Sequence, residues 1–209
     1  MEAELAAIRR AIDLAGETGC ALHVVHVSSS EGVALIAAAK KSGVDVTCET
    51  CPHYLVLTED DMEKIGAPAK CAPPLRIPSV QSELWRRLLA GEITTIGSDH
   101  SPSPPELKTG KNFFKVWGGI SGMQHTLSLL LTERSAGLRP GELLPAASNA
   151  PGRRPALQRI ADLLSANVAR RFRIPNKGKI VAGFDADFAL VNLRETFSVR
   201  AGDLFYCHH

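Results

Sequence analysis

The chain has 209 residues, 44% hydrophobic and 22% charged, which is enough apolar side chain for a folded core and too much for a disordered polymer. Its 24 Lys and Arg against 22 Asp and Glu leave a formal charge of +2. The basic residues are scattered, so neither nucleic acid nor an anionic membrane is the expected partner. No apolar run reaches the roughly 18 residues of a spanning helix, and the N-terminus lacks the basic-then-apolar pattern of a leader. The expectation is a cytoplasmic protein with one main domain, or one plus a small appendage. Cysteines at 20, 48, 51, 71 and 207 are an odd number in a chain that is not small, so reduced thiols are expected. Cys48-x-x-Cys51 has no second pair of its kind and precedes Pro52, so we read it as structural rather than as a redox or zinc pair.

Along the chain, Leu5, Ile8, Ile12 and Ala15 recur at helical spacing over Glu2 to Ala15, with Gly19 as a stop. Residues 21–27 are short, nearly continuous in hydrophobicity and rich in β-branched residues, as in a parallel strand covered on both faces. Ser28-Ser29-Ser30-Glu31 offers a capping box for a helix over 33–41 that stops at Gly43. The cycle then repeats: a strand over 45–49, a short helix capped by the Thr58-Glu59-Asp60-Asp61 run, a helix over 80–90 with Leu84, Leu88 and Leu89 inward, and a strand over 93–96. A further helix over 120–134 would bury Met123, Leu127, Leu130 and Leu131, and the Pro-rich 136–155 reads as a loop. A last helix should run from near Leu157 to about Arg171. From Gly178 the pattern changes to short antiparallel strands, at 179–181, 188–191 and 197–199, outside the α/β body.

Alternating strands and helices imply an α/β parallel sheet. Functional side chains in such barrels project from the C-terminal strand ends, where this sequence places His26, Glu49 leading to His53, and Asp99-His100. A lone strand histidine such as His26 is more often a core residue bonded to backbone, and His23 is read as structural. Asp99 is harder to explain that way, because a carboxylate at the end of an apolar strand needs a cation, a metal or several donors. Lys70-Cys71-Ala72-Pro73-Pro74-Leu75-Arg76 is a stiff turn, and Trp117-Gly118-Gly119 lets backbone approach a ligand.

Taken together, GSDHSPSPPELK at 97–108, HVVHVSSSEG at 23–32, ETCPHYL at 49–55, KCAPPLR at 70–76 and FFKVWGGISG at 113–122 resemble the cyclic amidohydrolases of the amidohydrolase superfamily. That group comprises allantoinases, hydantoinases or dihydropyrimidinases, and dihydroorotases. The SDHSPxPPELK and WGGI wording resembles allantoinases more than their siblings. SANVARRF at 165–172 and KGKIVAGFDADFALVNL at 177–193 resemble the final barrel helix and the return into a small β-domain.

The resemblance implies the C-terminal part of a (β/α)8 TIM-like barrel, about strands six to eight, over residues 1–177. Short strands of a partial small β-sandwich domain would follow over 178–209. It implies two zinc ions that turn water into a nucleophile near neutral pH and polarise a ring carbonyl, giving ring opening of allantoin to allantoate. His26 matches the sixth-strand histidine ligand, and Asp99 the eighth-strand aspartate, both metal ligand and catalytic acid–base. The His-x-His pair, the carboxylated lysine and the fifth-strand histidine would lie outside this chain. Backbone at Ala72 and Gly118, where siblings tend to carry serine and asparagine, would meet the cyclic substrate, with His53 and His100 lining the mouth.

Complete members are expected to be homotetramers acting on a small cyclic amide or ureide. Three strands cannot close an eight-stranded barrel, so the isolated chain is expected to be inactive and to need a missing N-terminal half. The rival readings are a hydantoinase, dihydropyrimidinase or dihydroorotase substrate, or a noncatalytic scaffold of the same fold.

Overall fold

The computed structural model of the chain describes residues 1–110, 112–136 and 153–206. Helix α1 (Glu2–Thr18) buries Leu5, Ile8 and Ala15 along one stripe and ends at Gly19, whose left-handed backbone (φ 68°) returns its N–H to the Ala15 carbonyl at 2.9 Å. Strand β1 (Leu22–Val24) follows, then helix α2 (Ser30–Lys41) and strand β2 (Val46–Thr50). Ser29 caps α2 by accepting the Gly32 N–H. Glu31 does not complete the expected box, because its carboxylate takes the neighbouring Ser30 hydroxyl instead.

Helices α3 (Pro52–Val56), α4 (Glu59–Ile65) and α5 (Pro78–Leu89) lead to strand β3 (Thr95–Ile96). The strands pair in parallel in the order β1-β2-β3, with Leu22 opposite Val46 and Glu49 opposite Thr95. One face of the sheet packs under the helices. Val46, Cys48 and Ile96 join Val33, Ile36, Leu84, Leu88 and Leu163 in one buried cluster. After helix α6 (Thr126–Ala136), helices α7 (Arg153–Ala161) and α8 (Asn167–Arg171) are joined by a π turn at Asp162–Ala166.

Helix α8 closes the N-terminal end of the sheet. Arg171 donates to the Leu22 carbonyl at 2.7 Å and pairs with Asp45, and Asn167 donates to the Thr94 carbonyl at 2.8 Å. All three strands are thus tied at their starts by one short helix.

Several expectations are corrected. The first strand is three residues long, because the chain turns outward at Val25 and His26. Leu89 is exposed at the end of α5, and Met123 lies exposed in a 3-10 turn (Met123–His125) before α6. The last helix starts at Arg153, four residues before Leu157, and most of the expected 136–155 loop lies outside the described residues.

The short strands expected after Gly178 do not form among the described residues. Residues 178–200 are turns and extended chain, with Ile180 85% and Leu190 98% exposed. An isolated strand of three or four residues has neither a ladder partner nor a second face to bury against. A 3-10 turn at Ala201–Asp203 is held to the body by Gln124, which donates to the Asp203 carbonyl and accepts the Phe205 N–H. Among the described residues no helix is long and apolar enough to cross a membrane.

Candidate metal and substrate site at the strand ends

The two candidate ligands leave the sheet in the same way. Val27 N–H bonds the Glu49 carbonyl (2.9 Å), so the β1–β2 ladder resumes just past His26, which bulges out at φ 42°. Across β2, Gly97 N–H bonds the Thr50 carbonyl (3.1 Å), and two residues later Asp99 adopts φ 43°, its carbonyl accepting the Ser101 hydroxyl at 2.9 Å. Both side chains sit half-buried at the C-terminal edge of the sheet. Neither the His26 ring nor the Asp99 carboxylate makes a hydrogen bond within the described residues.

His53, on α3, lies beneath this edge. It is only 4% exposed, its ring is 4.3 Å from that of Tyr54, and both ring nitrogens lack a partner among the described residues. Burial holds its pKa down to about 4, and the nearby His26 charge lowers it further. A neutral imidazole with two unsatisfied nitrogens is an uncommon core residue.

The cysteines belong to the packing under the site. Burial pushes the Cys51 thiol far above the ordinary range and the Cys71 thiol up to about 11, with the Asp99 charge adding to both. Burial also raises Cys48 to about 12. Such thiols stay protonated, which agrees with the structural reading of Cys48-x-x-Cys51.

Ala72 and Gly118 lie on adjoining loops. Gly119 N–H bonds the Lys70 carbonyl at 2.7 Å, and a Cβ at Gly118 would touch Cys71 Cα at an ordinary 3.8 Å. At Gly119 (φ 148°) the same atom would fall 2.3 Å from the Ser101 carbonyl oxygen, so that close approach requires glycine.

Two lysines missed in the sequence hold this strip. Lys70 Nζ donates to the carbonyls of Phe113, Phe114 and Val116, and Lys108 Nζ to those of Gly119 and Ala67. Tyr54 holds the other end by donating to the Pro73 carbonyl at 2.8 Å. His100 is engaged elsewhere, its Nδ1 accepting the Met123 N–H and its ring meeting Tyr206 edge-on.

The sheet face away from the helices carries a polar layer that strand alternation alone could have located. His23 Nδ1 pairs with Thr47 Oγ1 at 2.7 Å, its Nε2 lies 3.4 Å from both Glu49 Oε2 and Thr95 Oγ1, and Phe172 meets its ring edge-on. Gly97 leaves room for the Glu49 carboxylate, since a Cβ there would be 2.3 Å from Oε1. His23 is thus structural, as read, though within a network rather than alone.

An imidazole nitrogen and a carboxylate oxygen, both unspent, are donor types that suit zinc. Among the described residues no three such groups converge.

No family model matches the chain. It is 54% identical over 196 residues to an allantoinase of Deinococcus radiodurans, covering 94% of this chain and 40% of that protein. It is 52% identical over 208 residues to an allantoinase of Rubrobacter xylanophilus, covering 99% and 42%. Among solved structures, an L-hydantoinase (dihydropyrimidinase) from Arthrobacter aurescens matches with a TM-score of 0.74 and 36% identity, over 87% of this chain and 38% of that one. A dihydroorotase from Saccharomyces cerevisiae shares the fold at 19% identity and a TM-score of 0.63, over 83% of this chain and 43% of that one. The chain therefore spans about 40% of the length of the relatives it matches. In sequence and in fold, it belongs to the cyclic amidohydrolases, the group that includes allantoinases and hydantoinases.

Proposed function

We propose that this chain carries part of the active site of an allantoin-opening hydrolase, converting the cyclic ureide to allantoate by adding water across a ring amide. The carrying observation is the pair His26 and Asp99, turned out of the sheet by matching left-handed residues and bonded to no other described side chain. Allantoin, rather than another cyclic amide, is supported by the 54% and 52% identities to allantoinases.

In this reading His26 and Asp99 contribute to a two-zinc centre whose other ligands, including a carboxylated lysine, come from outside these residues. Bound zinc would supply Lewis acidity at the ring carbonyl and lower the pKa of water. Asp99 takes the proton released as water oxygen bonds to the carbonyl carbon, then hands it to the ring nitrogen as the C–N bond breaks. His26 supplies a fixed nitrogen donor. Backbone at Ala72 and Gly118 meets the polar edge of the ring, and His53, whose buried ring nitrogens have no partner among the described residues, lines the same mouth in this reading. His100 takes a peripheral part, since its Nδ1 is already engaged.

Residues 1–177 form part of the barrel in this reading. The exposed apolar side chains from 178 onward, such as Leu190, would be covered in a small β-domain completed by further chain. The isolated chain is inactive, and the completed enzyme is a cytoplasmic homotetramer.

A hydantoin or dihydropyrimidine substrate is the second reading, favoured by the 36% identity to the L-hydantoinase. The test is hydrolysis with added zinc by the chain alone and by the chain combined with the N-terminal part of a related enzyme, each with and without Asp99→Asn. Allantoin turnover only in the combined sample, abolished by Asp99→Asn, is expected. Turnover of hydantoin but not allantoin by an assembled, zinc-loaded sample would overturn the substrate; turnover of neither would favour a noncatalytic scaffold.

A further inference from the structure

Glu4, in the first turn of α1, has its carboxylate wrapped by four donors from far along the chain. Oε1 accepts the Ser28 N–H at 2.7 Å; Oε2 accepts the Ser28 hydroxyl at 2.8 Å, the Ser29 hydroxyl at 3.3 Å and Arg76 Nη2 at 2.8 Å. Arg76 Nε also donates to the Ser28 hydroxyl oxygen at 3.0 Å. The side chains of Arg76 and Glu4 are only 13% and 8% exposed, and Ser28 and Ser29 are buried.

Removing two charges from water costs several kcal/mol per ion, so a buried pair of this kind is weak evidence of net stabilisation. Its placement suggests a different role. Ser28 lies two residues after His26, and Arg76 ends the loop that carries Ala72.

A non-glycine residue in the left-handed region is strained, and the ladder register that makes His26 bulge does not by itself set the direction in which the chain continues. Val27 N–H returns to Glu49 and the Val27 carbonyl accepts the Thr50 hydroxyl, so β2, paired with the chain up to Val24, takes hold of it again at residue 27 and leaves Val25 and His26 outside the ladder. What fixes the direction of the chain beyond the bulge is the anchoring of Ser28, through both its N–H and its hydroxyl, on Glu4. We infer that Glu4 and Arg76 are positioning residues, whose buried ion pair holds the turn that presents His26 and the loop that presents Ala72 in a single arrangement. The functional sense of this inference rests on His26 being a metal ligand; the conformational claim does not.

The test is carried out by NMR on the isotope-labelled full chain. A positive φ brings a residue's own amide and α protons close together, giving a strong intraresidue NOE, and Asp99 serves as internal reference. In Glu4→Gln and Arg76→Met the His26 NOE is expected to fall several-fold while that of Asp99 is unchanged. Retention of the His26 NOE in folded variants would overturn the inference.

A second measurement needs no variant. The Ser28 amide of the unaltered chain should exchange with solvent as slowly as the ladder amide of Val27, and exchange as fast as that of exposed Val25 would equally overturn the clamp. In the combined enzyme, Glu4→Gln should lower zinc retained after dialysis. If the NOE falls but His26→Ala leaves zinc content unchanged, the clamp stands and the ligand assignment of His26 fails.

Discussion

His26 and Asp99 leave the two outer strands of the sheet with the same backbone turn, φ 42° and 43°, one on each side of β2. Strain of this kind collects where a side chain must be aimed rather than where the fold needs it. Replacing either residue by glycine should therefore stabilise the chain, by about 0.5–1 kcal/mol if the left-handed cost is relieved without new mobility. Zinc content of the combined enzyme should fall in the same variants. Urea denaturation of His26→Gly and Asp99→Gly checks the first outcome and metal analysis after dialysis the second.

Buried His53 offers a sharper separation of stability from function. Its two unpartnered nitrogens carry a desolvation penalty of about 1–3 kcal/mol that an apolar side chain would not. His53→Leu should thus melt at or above the temperature of the unaltered chain, while turnover by the combined enzyme drops at least about tenfold, the size of losing one hydrogen bond of about 1.4 kcal/mol. A marked loss of stability would instead make His53 a packing residue.

Arg171 ties the sheet from its other end. Removing it in Arg171→Met leaves the Leu22 carbonyl without this donor and Asp45 without its ion partner. A loss of about 1–3 kcal/mol is expected, concentrated at β1, so hydrogen exchange should speed up at Leu22 to Val24 more than at Thr95 and Ile96. Uniform acceleration would mean that α8 contributes only general packing.

Asp61 provides a pH dependence. It accepts from the Thr58 hydroxyl and the Thr58 N–H, each at 2.8 Å, and these bonds hold its carboxyl below the ordinary value of 3.8. A depressed carboxyl pKa means that the native state favours the charged form. Its stabilisation is present above the ordinary value and is lost as pH falls below it. Asp61→Asn should cost about 1 kcal/mol at pH 7 and should flatten the fall in stability as pH drops below the ordinary carboxyl value of 3.8. Parallel acid titrations of both chains, followed by circular dichroism, provide the comparison.

The local regularities were legible in the sequence. Helical spacing over Leu5, Ile8 and Ala15, the Thr58 to Asp61 cap and the apolar runs of three strands rest on contacts between near neighbours, and each appears in the structure. The polar residues at strand ends also pointed to one edge, because parallel strands joined by crossover helices present their C-terminal ends together. Where the spacing was weaker, at Leu89 and Met123, the helix ended or began differently and the side chains are exposed.

Only the tertiary structure decided which distant residues meet. Nothing local in the sequence joins Glu4 to Arg76, Arg171 to Leu22, or Lys108 to Gly119, since each pair is brought together by the stacking of whole elements. The orphaned nitrogens of His53 and the bulge at His26 likewise arise from packing and ladder register. The segment after Gly178 marks the opposite limit. Its alternating apolar residues have strand-like propensity, but a strand exists only where another strand lies beside it. Propensity belongs to the sequence, whereas pairing belongs to the assembled fold.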